Sequence, residues 1–446
     1  MPDAQSPSAP GRATTGKAAP LVPMTWQPPA ESPFTRTRLA VAILVVLAML
    51  AGVSAIYFQA PHLVGATKVL TDYDAFHVAG LMALDGRAED AYRMETMFLA
   101  QEEFTGTLSF MPWTYPPPFT LFVAGLAMLP IGLGFLLFMS LSLTLYLVVL
   151  RRIVGPYLPG VMIVIMPTLL LLARTGQNGF LTGGLIGLFL LAFLQRKPGA
   201  GLPLGMMIIK PHLAVAIALT TLAQRRWQTV MVAAATVITL LLIPTFVFGP
   251  SIWRGFFDGI AESGTYLSKG YYPLFRMTSL YAAAFTLGAG PGLAMAIQAT
   301  GALAALAALF VLWKRNVAPH RLAAAVCCAT LFISPYNYDY DLTIFGLAVA
   351  FVLPDVVQRT SALEQTGLVA LAWLATGYGL TRSATMGDEP TKTFGASDFG
   401  DTTLSLAGPV LLLIILMATR ILAREPRIDA ARCEPDEVSH TAIPTV

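Results

Sequence analysis

Apolar residues run from about residue 39 to residue 423, broken by short polar gaps and by one long polar stretch at 59–116. The runs are continuous, without the alternation of a transmembrane β-strand, and many are long enough to cross a bilayer as helices. The pattern predicts spans near 39–58, 132–150, 157–174, 178–194, 227–249, 291–313, 320–334, 341–354, 364–382 and 404–423. Residues 200–224 break at Lys210-Pro211 into two short halves, a helical hairpin or a pair of half-helices, because proline interrupts the backbone ladder. Residues 117–130 read as a short helix that does not cross. The expected fold is an all-α polytopic membrane protein of about 12 membrane helices, with 59–116 as a large first extracytoplasmic loop. Residues 1–38, rich in Pro, Ala, Ser and Thr, read as a disordered cytoplasmic tail. Residues 39–423 form the membrane domain and 424–446 a cytoplasmic C-terminal tail.

Composition sharpens this picture. The chain has 446 residues, 56% hydrophobic and 12% charged. Soluble domains carry about 25% charged residues, so an ordinary soluble enzyme is excluded. The mean hydropathy of +0.67 agrees. The first apolar run follows a polar leader and is long enough to span, so it reads as a retained anchor rather than a cleaved signal. Of the three cysteines, Cys327 and Cys328 lie in an apolar run and Cys433 in the tail, which predicts no disulfide framework.

Charge sets the expected orientation. Basic residues mark alternate breaks: Arg151/Arg152, Arg196/Lys197, Arg225/Arg226, Lys314/Arg315, Arg359 and the C-terminal arginines. Positive-inside bias puts these in the cytoplasm. The inside then carries 18 Lys and Arg against 9 Asp and Glu, and the outside 10 against 16, which together make the 28 and 25 of the chain. The expected location is a bacterial inner membrane, with any site facing the periplasm or exterior.

On this layout the unusual polar motifs share the outer side. They are Thr71-Asp72-Tyr73-Asp74, Trp113-Thr114-Tyr115-Pro116-Pro117-Pro118, Arg174-Thr175-Gly176-Gln177-Asn178, Lys210-Pro211-His212, the loop carrying Arg276, and Ser334-Pro335-Tyr336-Asn337-Tyr338-Asp339-Tyr340-Asp341. Ionisable residues at membrane depth are costly and are functional candidates by default. Each also has an ordinary structural reading. Asp72 and Asp74 suit a helix start, Lys210 a snorkelling side chain, Arg174, Trp113 and the tyrosines an interfacial belt, and Gln177 and Asn178 helix caps. No zinc pattern, phosphate-binding loop or nucleophile elbow is present.

Asp72-Tyr73-x-x-Phe76-x-x-Ala79-Gly80 with Leu84, Gly86 and Tyr92 resembles the first outer loop of glycosyltransferase family 87, the polyprenyl-phosphate-mannose-dependent mannosyltransferases and their bacterial relatives. Tyr115-Pro116-Pro117, Gly176-Gln177-Asn178, Lys210-Pro211 and Ser334-Pro335 resemble further motifs of that family, in the same order, over roughly residues 68–345. The resemblance implies a GT-C fold, an outward-facing site, a polyprenyl-phosphate sugar donor and inverting transfer of a hexose, with mannose expected. It implies that Asp72, matching the family's loop acid, is the base. One departure stands out: the family's Ser-Pro motif is often followed by Trp and a His pair, whereas this chain has Tyr336-Asn337-Tyr338-Asp339-Tyr340.

The mechanism that follows needs a base, cations for the leaving phosphate and an apolar groove. The expected assignments are Asp72 as base with Asp74 in reserve; Lys210, Arg174 and Arg276 for the donor phosphate; and Gln177, Asn178, Trp113, Tyr115, His212, Tyr338 and Asp339 for sugar or acceptor. No cofactor or metal is required, and a divalent cation on Asp72, Asp74 and Asp339 is the option left open. The expected partners are the lipid-linked donor, a glycolipid or polysaccharide acceptor and membrane lipid, with no nucleic acid. A secondary transporter of a small polar solute is the alternative reading.

Overall fold

The computed structural model describes residues 32–108, 110–385 and 403–426. The N-terminal leader, most of the 383–403 loop and the acidic end of the C-terminal tail lie outside the described residues.

The described chain is helical. α1 (Thr37–Gln59) is followed by α2 (Asp72–Leu84), α3 (Met94–Thr105), α4 (Pro117–Ala127) and α5 (Ile131–Val154). Then come α6 (Leu158–Val164), α7 (Met166–Thr175), α8 (Gly179–Leu194), α9 (Gly201–Met206), α10 (Val215–Ala223) and α11 (Trp227–Phe248). The chain ends with α12 (Ile252–Ser268), α13 (Leu280–Thr286), α14 (Pro291–Lys314), α15 (Pro319–Ile333), α16 (Thr343–Val357), α17 (Ala362–Thr385) and α18 (Ala407–Leu422). Among the described residues, five segments are long and apolar enough to cross a membrane: Thr37–Gln59, Ile131–Val164, Trp227–Phe248, Pro291–Lys314 and Asp339–Val357. Six further apolar helical stretches are shorter. At 1.5 Å per residue α1 is about 34 Å long, enough for a hydrocarbon core of about 30 Å.

Local chemistry explains where the long helices stop. Arg151 and Arg152 occupy the last turn of α5, where they complement the helix dipole, and Gly155 follows. The run at 157–174 is two helices, because Pro167 opens α7 and cannot continue the ladder of α6. α8 fills the centre. Gly179, Gly183 and Gly187 form one stripe of it, and a Cβ at Gly187 would overlap Val149 of α5 and crowd Leu347 of α16. Close helix approach through small residues is the usual packing solution in a bilayer. Tyr146 donates to the Thr343 carbonyl at 2.7 Å, and Thr343 Oγ1 donates to the Gly179 carbonyl at 2.8 Å. These bonds tie the start of α16 to α5 and α8.

The polar stretch 59–116 is a packed layer rather than an open loop. α2 packs along α4, and eleven of its thirteen residues are buried. Phe76 sits in an aromatic cluster with Trp113, Tyr115, Phe119 and Phe138. Through Phe138 the same cluster reaches α5.

Candidate active site

Asp72 is the first residue of α2, after the Thr71 N-cap. It is buried, and its Oδ1 accepts from Gln177 Nε2 at 3.0 Å. Its second oxygen has no hydrogen-bond partner among the described residues. The Gln177 amide is fixed in orientation. Its Oε1 accepts from the Tyr115 hydroxyl at 2.8 Å and from the Asn178 backbone N–H at 2.8 Å. With two donors on the oxygen, the amide nitrogen faces the carboxylate. Burial, and then the Asp341 and Asp72 charges, push the Tyr115 phenol well above its ordinary range, so it remains a donor.

The turn that presents Gln177 follows from its glycines. Gly176 ends α7 with φ +73°, the left-handed conformation that closes helices. A Cβ there would lie 2.6 Å from Tyr73 Cβ, and one at Gly179 would overlap the Tyr340 carbonyl. The turn is pressed between α2 and the segment leading into α16.

Two cations face it. Met277 and Tyr338 form an isolated antiparallel bridge, with Thr278 N–H donating to the Asn337 carbonyl at 2.8 Å. That register sets Arg276 opposite Asp339. The guanidinium grips the carboxylate with Nε and Nη2, each at 3.1 Å. Burial opposes the Arg276 charge, but Asp339 and Asp72 together raise its proton affinity above the ordinary arginine range. Lys210 sits at the break between 3₁₀ turns 207–209 and 211–214. Its Nζ lies 2.6 Å from Asp341 Oδ1 and 3.4 Å from Asn178 Oδ1. The ammonium is 4.6 Å from the centre of the Tyr340 ring, and Arg276 Cζ is 6.0 Å from the same ring. Tyr338 stacks on Tyr340 at 5.1 Å. One tyrosine ring thus lies within reach of both cations.

Two buried polar atoms near Lys210 have no partner among the described residues: Asn178 Nδ2 and His212 Nε2. Buried polar groups are normally bonded, so these two atoms stand out beside the Lys210–Asp341 pair. Beside them, an apolar cleft of about 490 Å³ is lined by Pro116, Ile208, Pro211, Leu241, Trp253, Phe256 and Phe257. Pro116 adjoins Tyr115 and Pro211 adjoins Lys210, so the cleft borders the polar cluster.

Of the residues singled out in the sequence, the structure gathers Asp72, Tyr115, Gln177, Asn178, Lys210, Arg276, Tyr338 and Asp339, with His212 next to Lys210. Three others are placed differently. Asp74 is fully buried at the third position of α2, where Thr71 N–H and Oγ1 donate to its Oδ2 at 3.0 Å each. Its Oδ1 lies 2.6 Å from Lys68 Nζ. Burial pushes the Asp74 carboxyl up, while Lys68 and Thr71 pull it down. Trp113 is buried against Phe119, and its indole donates to Thr120 Oγ1 at 3.0 Å. Arg174, in the last turn of α7, is exposed.

Asp341 and Tyr340 stand in the late polar motif that the sequence marked, but the sequence assigned neither of them a role in the site. The signal for Asp341 was a second acid beside Asp339 in a chain with a lysine at membrane depth. Among the described residues, no group of three or more His, Cys, Asp or Glu is arranged to hold a metal ion.

The model of glycosyltransferase family 87 matches residues 113–335, half of the chain. The match takes in Tyr115, the Gly176–Asn178 turn, Lys210 and Arg276, and ends at Ser334-Pro335. No curated protein and no solved structure matches the chain.

Proposed function

The chain belongs to glycosyltransferase family 87, and from that premise we propose that it transfers a hexose, mannose foremost, from a polyprenyl phosphate to a glycolipid or polysaccharide hydroxyl at the outer membrane face. That it is a membrane glycosyltransferase follows from the family and the apolar helices. The lipid-linked donor, the sugar and the orientation are our reading.

The observation that carries it is one arrangement. A carboxylate oriented by an amide, Asp72 on Gln177, lies in the electrostatic field of Arg276, with Lys210 and an apolar cleft beside the same cluster. In the proposed reaction Asp72 takes the proton of the acceptor hydroxyl as its oxygen attacks C1. The C1–O bond to phosphate breaks, and the electron pair leaves on the phosphate, which gains one negative charge. Lys210 and Arg276 stabilise that charge, and attack from the opposite face inverts the anomeric centre. Asp339 and Asp341 already hold these cations, so the donor phosphate shares or displaces carboxylates, and the cations are kept in place before it binds. Asn178 and His212 meet sugar hydroxyls, and the cleft at Pro116 and Pro211 takes the first isoprene units.

The test uses the purified chain in lipid nanodiscs, supplied with radiolabelled polyprenyl-phosphate sugars or the matching nucleotide sugars, together with a lipid extract from the source cells. The reading expects label transfer from a lipid-linked donor only. Transfer from a nucleotide sugar with none from the lipid-linked form would overturn it.

A further inference from the structure

A second cavity lies away from the active-site cluster. Between α14 and α18, floored by α15 and α16, runs an apolar groove of about 830 Å³. Ala304 and Ala308 of α14 and Leu412 and Leu416 of α18 face it and are exposed. The polar side chains lining it gather at one end, where Arg315 and Arg321 stand. Arg321 is paired with Asp355 at 2.8 Å, but Arg315 has no carboxylate partner among the described residues. Around this end Lys314, Arg315, Arg321, Arg359, Arg420 and Arg424 outnumber Asp355, Glu364 and Glu425.

We propose that the groove holds an anionic glycerophospholipid, with its phosphate at Arg315 and an acyl chain along α14. The fourteen steps from Gly301 to Arg315, just past the end of α14, span about 21 Å, somewhat more than the roughly 15 Å of one leaflet's hydrocarbon. Basic pockets between membrane helices select anionic headgroups. The charge is also at the wrong end for the sugar donor: these arginines follow α14, whereas Arg276 and the candidate active site precede α13. The site therefore does not depend on which glycosyl donor the enzyme uses.

The test uses the full chain, purified in mild detergent and then placed in phosphatidylcholine nanodiscs with or without phosphatidylglycerol. Native mass spectrometry reads retained lipid, and thermal unfolding reads its effect. The wild type is expected to retain phosphatidylglycerol and to melt higher with it. Arg315→Gln should reduce retention about fivefold, the effect of one basic residue at a membrane surface. Ala308→Trp, which fills the groove without touching a charge, should reduce it as much, and Ala304→Phe repeats the block one turn away should either variant misfold. Equal retention of phosphatidylcholine, or unchanged retention in both filled variants, would overturn the proposal. So would retention gained only when residues 427–446 are removed, which would make the acidic tail the occupant. A raised KM for the sugar donor in the filled variants, with phospholipid retention unchanged, would give the groove to the donor's tail instead.

Discussion

Gln177 Nε2 donates to Asp72 Oδ1 at 3.0 Å, joining residues 105 apart in sequence. The bond has one polarity only, because the amide oxygen is taken by Tyr115 and by the Asn178 N–H. Gln177 therefore orients the carboxylate, and of its polar groups only the second amide hydrogen is left for another partner. Gln177→Ala should lower kcat about 10²-fold, the usual cost of a misplaced catalytic group, with KM for the donor little changed. Tyr115→Phe removes one donor to the amide and should cost about fivefold, near 1 kcal/mol. Steady-state kinetics on both variants check this; a Gln177→Ala defect confined to KM would place the amide on substrate.

Lys210 and Asp341 are both buried and 2.6 Å apart. Removing one leaves the other charge uncompensated, which costs about 3–5 kcal/mol. Lys210→Met and Asp341→Leu should each lower the melting temperature sharply. The double variant should recover most of the stability but not the activity, since the leaving phosphate loses its cation. Thermal unfolding beside transfer assays separates the two effects.

Asp74 belongs to the start of α2 and to Lys68. Asp74→Asn keeps the shape but weakens the cap and leaves Lys68 short of a counter-charge, so the protein should melt lower. Assayed below its melting point, it should keep activity within about tenfold, the scale of a small geometric disturbance rather than of a lost base. A loss matching that of an Asp72 variant would move the base to Asp74.

His77 gives a pH dependence with a defined sign. Burial, with Lys68 nearby, lowers its pKa from 6.5 to about 4. Between these values the unfolded chain binds more protons than the folded one, so stability rises with pH. The contribution is fully present above about 6.5 and is lost as pH falls toward 4. Asp74, pushed up by burial, acts in the opposite sense, so the comparison is between wild type and His77→Leu. Melting temperatures across this range should fall less steeply in the variant.

The long helices were legible because uniform apolar runs with arginines or glycine at their ends have no competing structure. The expected 132–150, 227–249 and 291–313 lie within α5, α11 and α14 to within a residue. Of α2 only a helix start at Asp72 and Asp74 was legible, and its extent was not. The helix is buried on nearly all sides, so its sequence lacks the polar face that makes a helical period visible. In the site, the residue types were readable: acids, an amide and cations at membrane depth. Their pairing was not. Lys210 meets Asp341 across 131 residues, and nothing local says which acid neutralises which cation. Spacing alone also left Asp72 and Asp74 equivalent. The helix start separates them, giving Asp74 to the cap and Asp72 to Gln177.

The central claim is that Asp72 takes the acceptor proton. The most direct measurement compares wild type with Asp72→Asn in nanodiscs, recording transfer from a polyprenyl-phosphate sugar and, on the same preparations, donor binding. The account predicts at least about a hundredfold loss of transfer, the scale of a lost general base, with donor binding unchanged. Transfer that persists in Asp72→Asn, or a loss explained entirely by weaker donor binding, would contradict it.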